Sequence, residues 1–285
     1  MPDYTATDLQ DVFVYAIIDE YLQNSKHRWQ TRCSATGQPG KLSDAKILFV
    51  FVSACLEYSG NCLKAMRSHK RHGNIKHLHD KSQFNRRLHR LAPVIEELLS
   101  LFSMIAATAS EHYALDSIPL PVCRIIRIRR CKLVQGERYC GYCASKKGYY
   151  YGFKVHLVRE SDGRLVEFGC TPGASADATG LNLLQFQLPA GTQLFTDKAY
   201  NHYEQEQSLL EHGSIKLQPM RKSNSRKENN TYLSNWLRKQ CCKHVESDIS
   251  SLQTFFPKKI HAVTKEGFLL KVLRFFLAHH FSFYL

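Results

Sequence analysis

The apolar pattern of the chain changes period near residue 111, and that change limits what the chain can fold into. Before it, apolar residues recur at helical spacing, as Leu9, Val12, Phe13, Ala16, Ile17 and Leu22 do within 5–23. After it they alternate, as Phe153, Val155 and Leu157 do against Lys154 and His156. An all-helical region over 1–110 is therefore expected, followed by a domain of the α+β or α/β class over 111–285. A chain of 285 residues is long enough to bury a core in each.

Helices are expected at 5–23, from a cap at Ser43 or Asp44 through 47–56, from there to Lys70, around 82–91, and at 94–109 after Pro93. Strands are expected at 113–121, 149–159 and 165–170, the last two joined by the turn Ser161-Asp162-Gly163-Arg164. A helix capped by Asp177, a strand at 193–197, a helix at 203–211 ended by Gly213 and a strand at 215–219 follow. Helices at 231–255 and 268–281 complete the chain. Three antiparallel strands followed by alternating helices and strands give a mixed sheet with helices on both sides.

Charge points to the partner. Lys and Arg number 39 against 25 Asp and Glu, a net charge of +14. That excess suits a polyanion, most simply nucleic acid. In 82–91, Phe84, Leu88 and Leu91 mark an apolar side, and Arg86, Arg87 and Arg90 a basic one. A helix-turn-helix recognition helix has this pattern, as does a solvated basic helix face. Further basic runs hold Arg124, Arg127, Arg129, Arg130 and Lys132, and then Arg221, Lys222, Arg226 and Lys227. Such runs suit backbone phosphate contact without sequence reading.

The polar, acidic start, Met1 to Asp11, is unlike a secretory signal, and no apolar run approaches the roughly 20 residues that span a bilayer. A cytoplasmic protein without membrane contact is expected, its ten cysteines held as thiols. Cys140-Gly141-Tyr142-Cys143 is half of a tetrahedral zinc site, and the sequence leaves open whether Cys131, Cys170, Cys241 or Cys242 completes it. No glycine-rich phosphate loop is present, so ATP is not expected.

Three acids stand out. Asp197 closes the short apolar strand Leu194-Phe195-Thr196, with Lys198 and Tyr200 just beyond it. Asp116 lies within the strand 113–121, and Glu246 on the helix 231–255, where Asp248 competes with it. The first and fourth strands can be neighbours in a mixed sheet, and the long helix can cross their ends, so the three can converge. Converging carboxylates need a cation, and oxygen ligands favour Mg2+ or Mn2+. Two such ions would activate a water or a 3′-hydroxyl and stabilise the leaving oxygen of a phosphodiester. Lys154 and His156 share a strand face from which they can approach the phosphate; an exposed basic strand face is the plainer reading. Lys198 suits a phosphate contact, or is a surface lysine.

Several of these segments together resemble the DDE transposases of bacterial insertion sequences, most closely the insertion-sequence 982 family. They are 114–123 (ALDSIPLPVC), 151–156 (YGFKVH), Thr171-Pro172-Gly173 with Asp177, Thr196-Asp197-Lys198-Ala199-Tyr200, and the tail 255–268. The resemblance is clearest over 82–277. It implies an RNase H-like mixed-sheet catalytic domain, with Asp116, Asp197 and Glu246 as the catalytic, metal-holding acids. It also implies cleavage at terminal inverted repeats, joining of 3′-hydroxyl ends to target DNA, and a dimer or larger assembly on DNA in the bacterial nucleoid. A non-catalytic inverted-repeat binding protein derived from a transposase, or a structure-selective nuclease of the same fold, is the alternative.

Overall fold

A computed structural model describes residues 6–25, 42–108, 110–144, 147–221, 225, 232, 236, 260 and 262–285. The chain forms two compact units. The first comprises residues 1–99, 252–258 and 266–285; the second comprises 100–251 and 259–265. The sequence suggested a division at residue 110 with everything beyond it in the second body. The last helix departs from that division, for a reason visible in its packing.

The described part of the first unit is helical. Its elements are α1 (Ala6–Asn24), α2 (Asp44–Leu56), α3 (Cys62–Arg71), α4 (Lys81–Arg90) and the start of α5 (Ala92–Ala107). Side chains cap three of them: Ser43 accepts from the Lys46 amide, Asn61 from that of Lys64, and Asp80 from that of Ser82. Helix α2 is buried almost all round, which explains its unbroken apolar run. The final helix of the chain begins at Lys265 and ends at Ser282. Its Arg274 lies 5.0 Å over the Phe51 ring of α2 and donates to Cys62 Sγ at 3.0 Å. Its Phe268, Phe275, Phe276 and Leu277 are fully buried, and the Phe275 ring lies against Gly60, so the helix belongs to the first unit.

The described part of the second unit is built on a six-stranded mixed sheet. The strands are β1 (His112–Cys123), β2 (Cys140–Cys143), β3 (Gly148–Glu160), β4 (Leu165–Pro172), β5 (Gln193–Thr196) and β6 (Lys216–Pro219). Their order is β2-β3-β1-β5-β6, with β4 also pairing β3. β3 runs antiparallel to β1, β2 and β4, whereas β1, β5 and β6 are parallel. Helices α6 (Asp177–Leu181) and α7 (Tyr203–Gly213) connect the later strands. One sheet face carries Tyr113, Leu115, Val158 and Leu194, which pack with Leu181, Leu184, Phe186 and Tyr200. That burial, at about 25 cal/mol per Å² of apolar surface, fixes the register of the strands.

Two details differ from the sequence pattern. β2 occupies the Cys-x-x-Cys segment, for which no strand was expected. Helix α7 ends on Ser214 in the left-handed conformation, φ 51°, one residue later than the Gly213 terminator.

Candidate active site

The register of β1 and β5 sets the site. Leu115 pairs with Thr196, the last partners between these parallel strands. Asp116 and Asp197 are the next residues on each chain. Side chains alternate along a strand, so both leave the sheet on the face opposite Leu115 and Thr196, on strands about 5 Å apart. The neighbour relation expected between these strands is therefore present.

Each acid is anchored the same way. The Ser117 amide donates to Asp116 Oδ1 at 2.7 Å, and the Lys198 amide to Asp197 Oδ1 at 2.6 Å. Asp197 is exposed and caps the short 3-10 turn Lys198–Tyr200. Asp116 is half-buried, and its burial pushes the carboxyl above its ordinary range. The Ser117 amide and Arg159 oppose that shift, while Asp197 and Asp177 add to it.

The opposite face supports Asp116 from behind. Ser117 Oγ donates to Asp177 Oδ1 at 2.7 Å, and Lys154 Nζ lies 3.3 Å from the same oxygen. Lys154 Nζ also donates to the Ser175 carbonyl at 2.8 Å. Next to them His156 is fully buried, with Nδ1 2.9 Å from Tyr200 Oη and Nε2 3.0 Å from Thr171 Oγ1. Burial drives its pKa down to about 4, so the ring is neutral at physiological pH. Burial also raises the Tyr200 pKa, helped by the charges of Asp177, Asp116 and Asp197. Tyr200 is thus a protonated phenol within the field of all three acids.

Four residues expected to face DNA have internal duties instead. His156 is sealed in the network just described. Arg87 is turned inward onto the Asp44 carboxylate and the Leu42 carbonyl, an arrangement that ties α4 to the start of α2. Arg221 makes a buried two-point pair with Glu206, through Nη1 at 2.5 Å and Nη2 at 2.8 Å, and Nη1 also donates to Asn201 Oδ1. Lys154 likewise serves the carboxylate network rather than an open face. Arg86, Arg90, Arg127, Arg129, Arg130 and Lys198 are exposed. Glu246 and Lys222 lie outside the described residues.

Asp177, Ser117, Thr171 and Tyr200 carried no site assignment from sequence. One signal was available for Asp177: a lysine on a half-buried strand needs a counter-charge, and Asp177 is an acid placed just after that sheet segment. Cys140 and Cys143 are three apart on β2 and so leave opposite faces of the strand, which does not suit chelation of one ion. Among the described residues no group of three or more His, Cys, Asp and Glu side chains could hold a metal ion. The pair Asp116 and Asp197 supplies hard oxygen donors whose mutual repulsion a divalent cation would relieve.

Residues 106–266 match the family model described as Transposase DDE domain, more than half of the chain and all of the region around both acids. The chain belongs to the DDE transposase family. A search of curated proteins and a search of solved structures each found no match. The family acts on DNA, and its domains generally use divalent metal. No helix among the described residues is long and apolar enough to cross a membrane.

Proposed function

We propose that this transposase cleaves DNA at the terminal inverted repeats of an insertion sequence and transfers the 3′-hydroxyl ends to target DNA. The observation that carries the reading is that Asp116 on β1 and Asp197 directly after β5, the parallel neighbour of β1, each follow the last paired residues Leu115 and Thr196, within the DDE match. The order and pairing of the strands are consistent with an RNase H-like domain, and the sequence resemblance favours the insertion-sequence 982 family.

In this reading Asp116, Asp197 and Glu246 hold Mg2+ or Mn2+. Bound there, the metal supplies Lewis-acid activation of a water or 3′-hydroxyl and charge neutralisation at the leaving oxygen. The chain's own residues do the rest. The Ser117 and Lys198 amides fix the orientation of the two carboxylates. Lys154, Asp177 and Ser117 brace the strand that carries Asp116. Lys198 reaches the phosphate, and the exposed Arg86, Arg90, Arg127, Arg129 and Arg130, with Lys222, hold the DNA backbone. Joining two transposon ends at once calls for a dimer or larger assembly on DNA in the bacterial cytoplasm.

The test is cleavage of a labelled duplex carrying the element's own end, with Mn2+ or with EDTA, beside Asp197→Asn. The expected result is metal-dependent nicking that the variant loses while still binding the duplex. Turnover by the variant at the wild-type rate would overturn the catalytic assignment. Binding without any nicking by the wild type would favour a repurposed DNA-binding protein.

A further inference from the structure

The ribbon formed by β2 and the start of β3 has two unlike faces. In its register Gly141 lies opposite Tyr150, and Tyr142 opposite Tyr149. The Gly141–Tyr150 face is packed: Tyr150 is buried and its hydroxyl donates to the Gly173 carbonyl at 3.2 Å. A Cβ on Gly141 would sit 2.4 Å from that same carbonyl oxygen, so only glycine permits this approach. The other face presents Tyr142 and Tyr149 to solvent, 54% and 66% exposed, with ring centroids 5.0 Å apart. The solvent side of an antiparallel ribbon is ordinarily polar. Two opposed tyrosines there leave a broad aromatic surface in water.

A basic segment is anchored beside it. β1 ends with Cys123 in register with Tyr151, and the 3-10 turn Ile125–Arg130 leaves the sheet at that point. The chain returns to the same residue, where Tyr151 Oη donates to the carbonyls of Val134 and Gly136. The excursion carrying Arg127, Arg129, Arg130 and Lys132 is therefore pinned at both ends two residues from Tyr149. All four are exposed, and Glu137 is the single acid within 124–139.

We propose that this surface binds single-stranded DNA, with bases stacked on Tyr142 and Tyr149 and phosphates on the neighbouring arginines. Charge selects a polyanion, and the aromatic pair selects an unpaired one. Bases inside a duplex already cover each other's faces, so a duplex would use the arginines alone, whereas unpaired bases can stack on exposed rings. The inference rests on the reading of the chain as one that cleaves DNA at the element's ends, and assigns a place to unpaired strand there.

Binding of a short labelled oligothymidylate and of a short duplex is measured by anisotropy in EDTA, so that cleavage does not enter. Tyr142→Leu with Tyr149→Leu keeps the apolar cover of the ribbon and removes the stacking faces; Tyr142→Phe with Tyr149→Phe retains them. The leucine pair is expected to weaken single-strand binding about tenfold and duplex binding less than about twofold. The phenylalanine pair is expected to bind like wild type. Arg127→Ala with Arg129→Ala is expected to weaken both and to flatten the salt dependence. Unchanged single-strand binding by the leucine pair, or equal loss on both DNAs, would overturn the proposal. A protein that nicks its element end yet ignores the tyrosine changes refutes this inference alone. One that stacks single strands through the tyrosines but never nicks refutes the catalytic reading alone.

Discussion

Asp116 and Asp197 stand side by side, each one residue past the last β1–β5 pair and each held by the amide that follows it. The arrangement costs the fold something. Burial, with the charges of Asp197 and Asp177, raises the Asp116 pKa, so its ionised form destabilises the native state. The sign follows from linkage: the penalty is full above the folded pKa and fades as pH falls through it. Asp116→Asn keeps the shape and the oxygen facing the Ser117 amide but removes the charge. Its thermal midpoint at neutral pH is expected to exceed that of the wild type, the gap closing in acid, while metal-dependent nicking is lost. A lower midpoint at neutral pH would show that the acid is structurally favourable as it stands.

His156 acts in the opposite direction. Its ring is buried and neutral, with a pKa of about 4 against about 6.5 when exposed. The unfolded chain binds this proton first, so stability is lost as pH falls from about 6.5 toward about 4. The loss from this one group is about 2 kcal/mol by about pH 5. Asp116, Glu160 (raised to about 7) and Glu167 oppose it, so the difference between wild type and His156→Asn isolates it. Urea midpoints at neutral pH and near pH 5 are expected to fall less in the variant. An equal fall in both would remove His156 as a source of the acid sensitivity.

Much of the scaffold was legible because the alternating pattern is strict where a sheet face is buried. Phe153, Val155 and Leu157 marked β3, and the strands expected to carry the acids at 116 and 197 do pair, in parallel, with Asp197 one residue past the end of its strand. What escaped the sequence depends on distant partners. Arg87 looks like its neighbours Arg86 and Arg90 until Asp44, 43 residues away, turns it inward. Asp177 looks like a helix cap, and only the register of β1 with β3 brings Lys154 and Ser117 to it. β2 was hidden because cysteine, glycine and tyrosine in Cys-x-x-Cys suggest ligands before they suggest an alternating ribbon.

Gly180 supplies a sharp test of the packing beneath the site. Alanine in a helix is ordinarily more stable than glycine by about 1 kcal/mol. Here a Cβ would lie 2.4 Å from His156 Nδ1, the atom that meets Tyr200. The ring is fully buried and fixed on its other side by Thr171, so it has little room to yield. Gly180→Ala is expected to destabilise by about 1–3 kcal/mol, the range for overpacking. A neutral or stabilising result in a denaturant titration would mean that the His156 network shifts freely.

Arg221 separates a structural arginine from those proposed to face DNA. Its side chain is 7% exposed and pairs at two points with the Glu206 side chain, itself 5% exposed, beneath the Tyr203 ring. The hydrogen bonds to Glu206 hold its charge more firmly than usual. Arg221→Ala leaves a buried carboxylate without its partner, which costs about 3 kcal/mol or more. Replacing Glu206 by Ala strands the guanidinium and is expected to cost a similar amount. Neither change is expected to alter duplex affinity by more than about twofold when measured well below the unfolding midpoint. Arg127→Ala should behave oppositely, leaving stability within about 0.5 kcal/mol while lowering the salt slope of DNA binding by about one. A stable Arg221→Ala protein with weakened DNA binding would return this residue to the DNA surface.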